Sequence, residues 1–63
     1  MKKYYGVINA YYDNGKISSY IIEEMHLETP LPSYIETKKA DIYCDWFTTY
    51  EAAKQYHNDT LKA

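Results

Sequence analysis

Arginine is absent from this sequence: all seven basic residues are lysine. Arginine is the side chain that grips phosphates and guanine in a two-pronged fashion. Its absence, beside a formal net charge of −2, argues against a nucleic-acid reader. Cysteine occurs once, at Cys44, so no disulfide can form within the chain, and a lone thiol fits a reducing cytoplasm. Long apolar runs are missing as well. Nothing approaches the roughly 18 residues a membrane span requires. Lys2 and Lys3 are followed by Tyr4-Tyr5-Gly6-Val7-Ile8-Asn9, too short and too polar for the core of a secretion signal. The expectation is a soluble, cytoplasmic protein with no membrane association.

What the sequence has in excess is tyrosine, nine of 63 residues, within a composition that is 46% hydrophobic. That is a globular composition, since disorder goes with low hydrophobicity. The length allows one domain and one core. A chain of this size buries only about 60% of its unfolded surface, and such domains commonly need a disulfide, a metal or a partner.

Residues 3–25 read as a β-hairpin. Lys3 to Tyr12 and Lys16 to Ile22 are rich in aromatic and β-branched residues, and Asp13-Asn14-Gly15 lies between them. Asn-Gly in that position is a strong hairpin signal, because both central residues of a type I′ turn need positive φ. With a two-residue loop, Tyr12 faces Ile17. One side of the ribbon is then assigned Tyr4, Ile8, Ala10, Tyr12, Ile17, Ile21 and Met25, and the other Tyr5, Val7, Tyr11, Tyr20 and Ile22. A three-residue loop with Gly15 in a bulge slides one strand and exchanges half of these residues between sides. Neither side is polar in either register.

Residues 26–40 read as a connecting loop. Pro30-Leu31-Pro32 is unfit for a central strand, and Ser33-Tyr34-Ile35-Glu36 is compatible with a helical turn or an edge strand. Residues 41–47 read as a third strand, with Ile42, Cys44 and Trp46 alternating inward and Asp41, Tyr43 and Asp45 outward. Thr48-Thr49-Tyr50-Glu51 has the spacing of a capping box opening a helix over 49–61, with Ala53, Tyr56, His57, Thr60 and Leu61 on one stripe. The fold class is α+β: a small antiparallel three-stranded sheet with one C-terminal helix packed on one face.

Few groups here carry chemistry. Cys44 and His57 are the available thiol and imidazole. The expectation that Cys44 points beneath the helix bearing His57 brings them near one another, but no Gly-rich elbow offers an oxyanion hole, and a buried cysteine is an ordinary core residue. Glu23, Glu24, His26, Cys44 and His57 show no recognised metal-ligand spacing, and Glu23 and Glu24, being adjacent on a strand, point to opposite faces. No catalytic residue, metal or cofactor is expected. Tyr5, Tyr11 and Tyr20 superficially suggest a base-stacking sheet, but Lys2, Lys3 and Lys16 lie at opposite ends of the hairpin and form no phosphate-tracking stripe.

The remaining reading is protein contact. One helix covers one face of a sheet, which leaves tyrosines and β-branched residues in water on the other. Such patches mark interfaces, the other reading being that long Lys and Glu stems and the 26–40 loop fold over this face. The candidate interaction surface is Tyr5, Val7, Tyr11, Tyr20 and Ile22. Its occupant is a protein partner or a second copy in a homodimer, and the alternative role is that of a nucleic-acid or nucleoprotein accessory or inhibitor.

Overall fold

The computed structural model describes residues 1–62. Strand β1 (Lys2–Tyr12) and strand β2 (Ile17–His26) form the expected hairpin. Two further strands follow, β3 (Ser33–Glu36) and β4 (Ala40–Phe47), and then helix α1 (Tyr50–Lys62). The sheet therefore has four antiparallel strands, in the order β2-β1-β4-β3, rather than three. The additional strand is Ser33–Glu36. Its extended backbone follows directly on Pro32, and Tyr34 and Ile35 find cross-strand partners in Tyr43 and Ile42. The β3–β4 turn is held by Thr37, whose hydroxyl accepts from the Ala40 amide at 3.0 Å and donates to the Ala40 carbonyl at 2.8 Å.

The β1–β2 turn decides which residues share a face. Tyr12 N–H donates to the Lys16 carbonyl and Gly15 N–H to the Tyr12 carbonyl, so the loop comprises Asp13, Asn14 and Gly15. Gly15 takes φ +88°, the left-handed conformation that closes a three-residue hairpin, while Asn14 stays at negative φ. Asn14 turns its side chain inward instead, its Oδ1 accepting from the Lys16 amide at 3.0 Å. Tyr11 consequently faces Ile17, and Val7 faces Ile21. This corrects the two-residue register: Tyr20 and Ile22 pair with Ile8 and Gly6 and so lie on the side opposite Tyr5, Val7 and Tyr11.

The helix begins one residue later than the capping-box spacing implies. Thr49, not Thr48, is the cap, its hydroxyl accepting from the Ala52 amide at 3.2 Å. Ala53, Tyr56, His57 and Thr60 turn toward the sheet as expected, while Leu61 stays exposed.

The face this helix covers is that of Val7, Asn9 and Ser19. Ala53 and Val7 are both fully buried, and Phe47 and Tyr5 flank them in contact with Tyr56 and Tyr50. Asn9, also fully buried, organises a polar chain at the centre of this interface. Thr60 Oγ1 donates to the Tyr56 carbonyl at 3.0 Å, so it accepts from Asn9 Nδ2 at 3.2 Å. Asn9 Oδ1 then faces Ser19, whose hydroxyl donates to it at 2.5 Å. Ser19 has one proton to give, so His57 Nδ1, 2.8 Å away, must donate to it.

Alternation in β4 follows from its pairing with β1. Asp41, Tyr43, Asp45 and Phe47 lie on the helix side, and Ile42, Cys44 and Trp46 on the other. This reverses the sequence expectation, which put the apolar set beneath the helix. The helix packs on the more polar side of the sheet because its own stripe, with His57 and Thr60, supplies partners for Asn9 and Ser19 that an apolar stripe lacks.

Candidate functional site: the open apolar face of the sheet

Three cross-strand rows build the uncovered face. The first is Ser18, Ala10, Ile42 and Ile35; the second Tyr20, Ile8, Cys44 and Ser33; the third Ile22, Gly6 and Trp46. No charged side chain stands in these rows. Charge begins at the next row down, where Glu24 pairs with Tyr4, and Glu24 Oε1 lies 2.9 Å from His26 Nε2.

Gly6 leaves the space that the six-membered ring of Trp46 occupies against β1. A Cβ at position 6 would stand 2.8 Å from Trp46 Cζ3 and 3.1 Å from Ile22 Cγ1. The missing side chain is filled by the indole, which also meets the His26 ring edge-on at 5.1 Å.

The connection between β2 and β3 closes only the lower end of this face. Tyr4 is buried there, with its hydroxyl 3.2 Å from Thr29 Oγ1 and its ring edge-on to His26. Above that point residues 33–36 are spent in the sheet rather than in a roof. Tyr20 remains 53% exposed, Ile35 57% and Tyr12 42%, while Ile8, Ile22, Ile42 and Trp46 are half-buried by one another.

The five residues of the candidate interaction surface are thus divided between faces. Val7 is 0% exposed and Tyr5 is half-buried, both on the helix side. Tyr11 is on that side too, 38% exposed at the margin of the helix, where it lines one recess with Tyr56. Tyr20 and Ile22 lie on the open face, joined by Ile8, Tyr12, Ile35, Ile42 and Trp46. No signal in the sequence separates these groupings, because Asn14-Gly15 fits both loop lengths; the positive φ at Gly15 marks the three-residue loop that forms.

Cys44 and His57 lie on opposite faces, which corrects the expectation that the thiol sits under the helix. Desolvation, reinforced by the charges of Asp45 and Glu24, pushes the Cys44 thiol above its ordinary value, so its nucleophilic thiolate form is disfavoured. Glu23 is engaged by Lys3 at 3.8 Å on the helix side, whereas Glu24 and His26 bond to each other on the open side. Among the described residues no three His, Cys, Asp or Glu side chains converge as a metal site would need. Among the described residues no helix is long and apolar enough to cross a membrane.

The chain matches no known family model, no curated protein and no solved structure. The functional reading therefore rests on the two faces of this sheet.

Proposed function

We propose that this protein is a small non-enzymatic interaction module that docks another protein, or a second copy of itself, against the open sheet face. The observation that carries the reading is the inversion of polarity. Among the described residues the one helix covers Asn9, Ser19 and Asp45, while the face of Ile8, Tyr20, Ile22, Ile35, Ile42 and Trp46 has no layer over it above the connection that closes its lower end. Burying apolar area is the main favourable term in folding and in association, at about 25 cal/mol per Å². This chain uses little of it internally. Among the described residues the buried apolar ones are Tyr4, Val7, Ala10, Ala40 and Ala53, and three of the five are alanine. A docked surface supplies the missing layer. Tyr20 and Trp46 suit such a contact, since each offers a large rigid ring at small entropic cost.

The test is a triple substitution, Tyr12→Ser, Tyr20→Ser and Ile35→Ser. All three side chains are exposed in the single chain, so their removal should cost at most about 0.5 kcal/mol each. The urea midpoint and helical signal should stay close to wild type. Concentration-dependent association by light scattering, and binding of a dye specific for apolar surface, should fall sharply. A strictly monomeric wild type together with an unfolded triple variant would contradict the reading.

A further inference from the structure

On the helix side the covering is incomplete. Helix α1 lies over β2 and β1 and reaches only the nearer part of β4, leaving β3 and the outer part of β4 bare. There, Tyr11, Asp41 and Tyr43 on the sheet and Tyr56 on the helix line an open concavity of about 410 Å³. Tyr11 and Tyr43 stand nearly perpendicular, their centroids 5.7 Å apart at 77°, so they form two walls of a corner. Tyr34 stacks against Tyr43 at 4.8 Å and extends the aromatic wall along β3.

The charges around these rings have one sign. Tyr34 donates to Asp41 Oδ1 at 3.2 Å and Tyr56 to Asp45 Oδ2 at 3.0 Å, and the register places Glu36 beside Asp41 on the same face. Among the described residues the ion pairs are Lys3 with Glu23 and His26 with Glu24, so Glu36, Asp41 and Asp45 have no cationic partner. Lys39, in the adjoining turn, lines a separate recess with Tyr12, Asp13 and Asn14. A phenol that donates to a carboxylate is enriched in ring electron density, which strengthens its attraction for a cation over its face. Rings at right angles, backed by unpaired carboxylates, are the arrangement that holds an alkylammonium or guanidinium group.

We propose that the Tyr11, Tyr43, Tyr56 and Asp41 concavity receives a lysine or arginine side chain from a basic polypeptide segment. A polypeptide fits better than a small free cation because the concavity is open and continues past Tyr34 and Glu36 along β3, where a segment can lie extended. The site is on the opposite side of the sheet from the apolar face and stands independently of it.

The experiment is a titration of the whole protein, with its tyrosine rings isotopically labelled, against acetyl-tetraarginine-amide at low and at physiological salt, followed by NMR. The same peptide with citrulline in place of arginine, equal in shape and uncharged, is the control. The expected result is a saturable shift of the Tyr11, Tyr43 and Tyr56 ring signals with the arginine peptide only. Tyr20, on the opposite face, should not respond. Asp41→Asn should weaken binding at least threefold, its fold being verified by its own spectrum. Equal shifts with the citrulline peptide, shifts spread over all the tyrosines, no shift at low salt, or undiminished binding by a folded Asp41→Asn variant would each overturn the proposal. The citrulline comparison needs no variant, so the test stands even if Asp41→Asn fails to fold.

Discussion

Asn9 and Thr60, 51 positions apart in the chain, are joined by a buried hydrogen bond of 3.2 Å that fixes the helix over the centre of the sheet. Each partner is committed on its other side, Thr60 to the Tyr56 carbonyl and Asn9 to Ser19. Removing one member strands another in a dry interface. Asn9→Ala and Thr60→Val should each cost about 1–3 kcal/mol in urea unfolding. The double variant should cost less than their sum, by at least about 0.5 kcal/mol, because both remove the same bond. Full additivity would mean that the bond does not form in solution.

Gly6 is held open for Trp46. In Gly6→Ala the new methyl group meets the indole at 2.8 Å, so the ring must tilt away from the sheet. A stability loss of about 1–3 kcal/mol is expected from this overpacking. Trp46 is the only tryptophan, so the emission spectrum reports its movement directly, and a red shift should accompany the loss. Unchanged emission would show that the indole does not lie over position 6.

The Cys44 thiol should be sluggish toward a disulfide reagent at neutral pH, since a free cysteine is only a few per cent thiolate there and desolvation lowers that fraction further. The rate should rise steeply only above the ordinary thiol value of about 8.5. His57→Ala should leave the rate unchanged, because the imidazole is across the sheet. Slower labelling in that variant would place the two groups together.

Tyr56 links stability to alkaline pH. Desolvation first, and then its hydrogen bond to Asp45, push its phenol above the ordinary range, so the folded state holds this proton more tightly than the unfolded chain does. The resulting stability is complete below about pH 10, the unfolded phenol value, and declines as pH rises from there toward the folded value. Urea midpoints measured across that interval should fall for wild type and fall less for Tyr56→Phe. Parallel curves for the two proteins would remove the linkage.

Much of this architecture is legible in the sequence, and the rest fails for identifiable reasons. The hairpin, the strand over 41–47 and the sheet-facing helix residues Ala53, Tyr56, His57 and Thr60 follow from alternation and helical spacing. The strand at Ser33–Glu36 is too short for a period to develop, and only the presence of Tyr43 and Ile42 opposite makes it a strand. The faces were less accessible. Asn-Gly permits two loop lengths, and one residue of difference moves Tyr20 and Ile22 to the other side of the sheet from Val7. The rule that apolar residues face the helix also misleads here. Asn9 and Ser19 draw the helix by hydrogen bonding, and the apolar alternation Ile42, Cys44, Trp46 marks the open side.

A photo-crosslinking residue placed at position 20 or 35, in cells that make the protein, tests most directly whether the bare side is a contact surface. Both positions should give the same discrete adduct, a dimer or one partner species, and the exposed helix position 54 should give none. Equal yields at all three positions, or no adduct at 20 and 35, would contradict the account.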